Sequence, residues 1–258
     1  AMFHDYLRDV PLPYFRQTLI QLFCVLDTPI AERDPYLNDA LAAFPYVNGG
    51  LFAEKNIEIP QFTQEIVDIL LADASAGFDW SAISPTIFGA VFESTLNPAT
   101  RRAGGMHYTS IENIHRVIDP LFLDALRDEL DTCKAQKTEK ARRKALLDFQ
   151  EKLAAGRYFD PAAGSGNFLT ETYLSLRRLE NEVLRELSGV EVFLGGIDNP
   201  VKVSIAQFYG IEINDFAVTV ARTALWIAES QMMKETESIV HMTLDFLPLR
   251  TYDNIHEG

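Results

Sequence analysis

The stretch that decides the fold is Arg157-Tyr158-Phe159-Asp160-Pro161-Ala162-Ala163-Gly164-Ser165-Gly166-Asn167-Phe168-Leu169. Arg157 to Asp160 reads as a short strand, the glycine pair as a tight turn, and Asn167 to Leu187 as a helix. A strand that ends in an acid and passes through glycines into a helix brings backbone close to a ligand. A β-carbon would collide there, and the first helical turn offers free N–H groups.

In dinucleotide sites those N–H groups meet a pyrophosphate. Two features depart from that pattern. Leu169 stands where the third glycine of G-x-G-x-x-G would be, and Asp160 precedes the first glycine. An acid at that place repels a pyrophosphate and suits a ligand with an ammonium group, such as the methionine part of S-adenosylmethionine. A nicotinamide dehydrogenase is disfavoured for the same two reasons.

Downstream, Phe208 to Ile213 reads as a second strand, and Glu212 near its end can accept from both hydroxyls of a ribose. Glu212 lies further from the first glycine than the usual spacing of about 20 residues. Residues 189–204, with Gly195-Gly196 and Asp198-Asn199-Pro200, read as a hairpin or loop insertion that accounts for the distance. Ile213 and Phe216 offer apolar walls for an adenine. Asn214 caps a helix running to about Met233, and Ile239 to Leu244 is the expected third strand. Strand, helix, strand, helix, strand in succession predicts a parallel sheet with crossover helices.

Upstream, residues 1–80 read as helical, with segments at Tyr14–Leu26, Leu37–Phe44 and Thr63–Asp73 and a turn at 44–50. Ser84-Pro85 starts a helix with a cap followed by a proline that needs no donor, and Asn97-Pro98 ends it. A loop with Arg101, Arg102, Gly104 and Gly105 follows. Thr109 or Ser110 then caps a long helix to about Leu130, with Thr109 and Glu112 spaced as a capping box. A charged helix spans about Lys137 to Ala154.

Composition limits the function classes. The chain has 258 residues, 47% hydrophobic and 23% charged, enough to bury a sizeable core. No apolar run approaches the roughly 20 residues of a membrane span, and no signal segment is visible, so no membrane association is expected and the setting is read as cytoplasmic. Cys24 and Cys133 fit no metal spacing and read as reduced thiols; no metal is expected. A net charge of −14 argues against this chain alone gripping a phosphate backbone. Its basic clusters are Arg101-Arg102 and the run from Lys134 to Lys144, the latter read as a solvated helix face.

The run Asp160 to Leu169 resembles motif I of amino-methylating DNA methyltransferases. Gly210-Ile211-Glu212-Ile213-Asn214 looks like their motif II, and Gly105-Met106-His107-Tyr108-Thr109-Ser110 like their motif X. This order is similar to that of γ-type N6-adenine methyltransferases. From Ile83 onward the chain resembles the large single-chain restriction–modification enzymes of the MmeI-like kind. The resemblance implies a Rossmann-like α/β methyltransferase fold with a truncated parallel sheet over 81–258, preceded by the end of a helical spacer at 1–80. It implies S-adenosylmethionine as cofactor, with DNA as partner of a longer parent enzyme. Tyr108 and Thr109 would contact the methionine carboxylate. Asp160 would sit by its amino group, helped by Pro161 and by backbone at Ala162, Gly164 and Gly166. Glu212 would hold the ribose, and Ile213 would pack on the adenine.

The family's catalytic Asn/Asp-Pro-Pro-Phe/Tyr is absent. Asn97-Pro98-Ala99 and Asn199-Pro200-Val201 lack the second proline and the aromatic. No catalytic residue is therefore assigned. The chain is expected to be a fragment that binds the cofactor weakly or not at all alone, does not methylate, and can self-associate through an open strand edge. The alternatives are a non-catalytic helical module with a degenerate nucleotide fold, and a methyltransferase acting on protein or RNA.

Overall fold

The computed structural model describes residues 2–47, 52, 59–95, 109–188, 200–241, 244 and 252–258. Tyr108, the turn glycines at 49 and 50, the Asn97-Pro98 stop, the loop at 101–105 and residues 189–199 of the expected insertion lie outside this set. Contacts divide the chain into two compact units, residues 1–83 and a second that starts at Ser84 and includes Tyr252–Gly258.

The first unit is helical. Its elements are α1 (Met2–Leu7), α2 (Leu12–Asp27), α3 (Asp39–Ala42) and α4 (Gln64–Leu71), the last running on into a π-turn at Ala72–Ala76. Helix α2 repeats apolar residues at helical spacing. Phe15 and Leu19 join Leu7, Ile59 and Val67 in one cluster, while Leu22 and Val25 join Leu41 and Phe44 in another. Side-chain oxygens start the next helices: Asn38 accepts from the Leu41 amide at 2.8 Å and Thr63 from the Ile66 amide at 3.3 Å. Arg33 closes α2 by donating to the carbonyls of Val25 and Thr28, which places a cation at the negative helix end.

The second unit holds the sheet. Helix α5 (Pro85–Thr95) is followed by α6 (Ile111–Ile118), a π-turn at Asp119–Leu123 that accommodates Pro120, α7 (Asp124–Lys134) and α8 (Glu139–Ala155). Then come β1 (Tyr158–Asp160), α9 (Asn167–Ser188), β2 (Phe208–Glu212), α10 (Asp215–Val240) and β3 (Ile255–Glu257). Both strand pairings are parallel in the order β1-β2-β3, with Asp160 opposite Gly210 and Glu212 opposite Glu257. The expected α/β fold with a short parallel sheet is present.

Helices α9 and α10 pack on each other and against the sheet. Their interface buries a polar network: Arg177 pairs with Glu180, and both side chains are fully buried. Arg177 also donates to Thr236 Oγ1 at 2.7 Å, and Glu180 accepts from Gln150 and from the Lys202 amide. Charges at that depth require pairing and hydrogen bonds of this kind, although Arg177 Nε is left without a partner. Along the strands, the exposed Tyr209 and Ile211 alternate with the buried Phe208, Gly210 and Glu212, and Phe159 of β1 is exposed likewise.

Three sequence expectations are corrected. Ile239 and Val240 are not in a strand; they complete α10, which runs well past Met233 and closes at His241 with φ of 53°. The third strand is Ile255–Glu257, which pairs with the C-terminal half of β2. Ser110, not Thr109, caps α6 by accepting from the Asn113 amide, so the Thr109–Glu112 capping box does not form.

Candidate functional site

Residues 161–166 join β1 to α9 in a turn that backbone bonds define closely. The Ala163 amide donates to the Ile211 carbonyl at 2.9 Å, which ties the turn to β2. The Gly166 amide donates to the Ala163 carbonyl at 2.8 Å. Asp160 Oδ1 accepts from the Ala162 amide at 3.0 Å and shapes the exit from the strand. Gly164 and Gly166 adopt φ of 54° and 79°, the left-handed region that favours glycine.

The two glycines serve different ends. A β-carbon at Gly164 would meet no atom within 4 Å, so this residue leaves its side open to a ligand. A β-carbon at Gly166 would stand 2.8 Å from the Ala221 methyl, so this residue lets α10 approach. Gly89 and Gly210 add two close approaches that the sequence reading missed. A β-carbon at Gly89 would lie 2.6 Å from the Ser165 side chain, and one at Gly210 would lie 3.0 Å from Ala163. Thus α5 and β2 both press on the turn.

Glu212 is the chemical centre. It is buried at the end of β2, and its two oxygens accept from the Gly164 amide at 2.8 Å and the Asn214 amide at 3.0 Å. A carboxylate has about four lone-pair sites, so about two remain for a ligand. Asn214 in turn caps α10 by accepting from the Ala217 amide at 3.1 Å. The acid is thereby locked between the glycine turn and a helix start.

A cavity of about 300 Å³ opens here at the carboxyl ends of the parallel strands. It brings together Thr109, Pro161, Ala162, Gly164, Glu212 and Ile213, all expected from the sequence. Asn167, Phe168 and Ile211 also line it and were not singled out. Ile213 is largely exposed. Asp160 and Gly166 are not in the wall. Asp160 faces a neighbouring groove formed with Val117, Leu121, Tyr158 and Leu169. Phe216 is exposed near the start of α10 and is not in the wall either. Cys24 and Cys133 are free thiols, and no group of metal-ligating side chains occurs among the described residues. No described helix is long and apolar enough to cross a membrane.

Comparison with known proteins agrees with this geometry. Residues 134–258 match the family model described as the MmeI DNA-methyltransferase domain, and residues 1–52 match that of the MmeI helicase spacer domain. DNA methyltransferase A of Bacillus subtilis is 39% identical over 91% of this chain. The structure of the Type IIL restriction-modification enzyme MmeI, solved in complex with DNA, superposes with a TM-score of 0.88 and 37% identity over 100% of the chain. The chain spans 25% of the length of the Bacillus protein and 34% of that MmeI chain. The two matched domains place the chain in the MmeI-like family, and its cavity is built largely by the part that matches the methyltransferase domain.

Proposed function

We propose that this chain forms the S-adenosylmethionine-binding part of an enzyme that methylates adenine N6 in DNA, with residues 1–80 as spacer and 81–258 as methyltransferase part. The observation that carries the reading is the locked Glu212 carboxylate, facing a cavity beside Gly164 at the ends of two parallel strands. When bound, the cofactor supplies a sulfonium-activated methyl group. The chain's residues bind and orient. Glu212 accepts from the ribose hydroxyls through its remaining lone pairs, and Ile213 gives the adenine an apolar face. Thr109, with Tyr108 beside it in sequence, contacts the methionine carboxylate. Asp160, outside the cavity wall, shapes the turn that faces the methionine end by accepting from the Ala162 amide. The chain contains no Asn-Pro-Pro-Phe/Tyr to hold a flipped base, so alone it binds cofactor without transferring the methyl.

Amide resonances test this even for weak binding. Adding S-adenosylmethionine should shift Gly164, Glu212 and Ile213, with a smaller response in Asp160→Ala and none to NAD. Unmoved Gly164 and Glu212 resonances, or a stronger response to NAD, overturns the proposal.

A further inference from the structure

Thr109 lines the cavity but belongs to neither the glycine turn nor β2, so something else must hold it there. It directly precedes Ser110, the cap of α6. Five residues further on is His115. Its Nε2 lies 3.3 Å from Glu171 Oε1 and its Nδ1 lies 2.8 Å from Asp119 Oδ1. Glu171 is on α9, the helix that starts at the glycine turn, and is only 2% exposed. Its other oxygen accepts from Thr86 Oγ1 of α5 at 3.0 Å, and Arg178 donates to Oε1 at 3.2 Å. One buried carboxylate therefore ties three helices together. Those helices include the two on either side of residues 96–108.

A carboxylate this deep is strongly unfavourable unless its lone pairs are filled, so Glu171 has little freedom to leave. Both carboxylates flanking His115 can accept from the ring only if both nitrogens carry a proton. The ring meets Asp119 of the π-turn and Glu171 of α9; behind them stand Arg178 and Thr86 on Glu171, and Arg127 of α7 on Asp119 at 3.4 Å. Glu112 and Arg116 on its own helix pair with each other at 2.6 Å. The hydrogen bond from the His115 ring holds the Asp119 carboxyl below its ordinary range.

We infer that Glu171 and His115 are positioning residues for the cofactor: their contact fixes α6 on α9 and so sets Thr109 against the glycine turn. The inference rests on reading the cavity as a cofactor site. Hydrogen exchange of the chain, free of ligand, reads the positioning directly. Glu171→Gln should speed exchange across residues 109–114 while leaving the Gly164 and Ile213 amides as they are. It should also weaken S-adenosylmethionine binding about tenfold, the size expected from a lost charged hydrogen bond. Arg116→Ala, on the exposed side of the same helix, should change neither.

His115→Gln should likewise speed exchange over residues 109–114. His115→Gln also serves if Glu171→Gln does not fold, because its side chain is partly exposed. A folded variant with wild-type exchange over 109–114 overturns the inference. If the wild type gives no response to S-adenosylmethionine, the cofactor reading fails by itself, and the exchange measurements still decide whether the clamp exists.

Discussion

At Gly166 two demands coincide: φ is 79°, and an added methyl would stand 2.8 Å from that of Ala221. Gly166→Ala should therefore lower unfolding stability by about 2 kcal/mol, combining left-handed strain with a clash. Gly164→Ala meets only the strain, so its loss should be about half as large. Adding Ala221→Gly to the Gly166 variant removes the clash and should recover part of the stability, even though glycine in a helix costs about 1 kcal/mol. Urea titration of the wild type, the three single variants and the double variant checks this. A purely additive double variant would mean that the two residues do not meet. The sequence pointed to both glycines but gave them one purpose. Which of them opens to a ligand depends on where α10 passes, and that is a tertiary fact. Thr109 and Ser110 show the same limit, since two adjacent hydroxyls are equally able to cap until packing selects one.

At the scale of elements, β2 is ringed by phenols. Tyr158 stacks on Phe208 with ring centres 5.2 Å apart, Tyr173 meets it edge-on at 5.6 Å, and the Tyr252 hydroxyl donates to its carbonyl at 2.7 Å. Burial pushes all three phenols above their ordinary value of 10.0. Their folded forms thus hold protons that the unfolded chain gives up first. The stability they contribute is fully present below about pH 10 and is lost as pH rises through the folded values. The denaturation midpoint should fall on the alkaline side. Tyr158→Phe, which keeps the ring stack, should make that fall shallower; an unchanged slope would contradict the account.

The element starts that sequence reading placed well are those with a cap or a glycine turn: α4 behind Thr63, α9 behind Gly166, and α10 behind Asn214. The run Ile239 to Leu244 misled because a short apolar run fits a strand or a buried helix end equally well. The true third strand is short and polar, Ile255-His256-Glu257, and forms because β2 offers it an edge.

For the whole molecule, a net charge of −14 dominates the long-range field. The basic residues Lys140 and Arg143 on α8 are outnumbered. The chain alone should show no retention of duplex DNA at about 0.15 M salt, where screening acts over about 8 Å. A gel-shift or polarisation titration checks this, and tight salt-sensitive binding would contradict it. Division of the chain into two units also separates the tasks: the spacer match lies wholly in the first, and the cavity wholly in the second.

Glu212 finally bears on time as well as affinity. Its carboxylate joins the glycine turn to the start of α10. On the proposed reading, a ligand meets a floor held by the fold's own bonds, so differences between competing ligands reside mainly in how long each one stays.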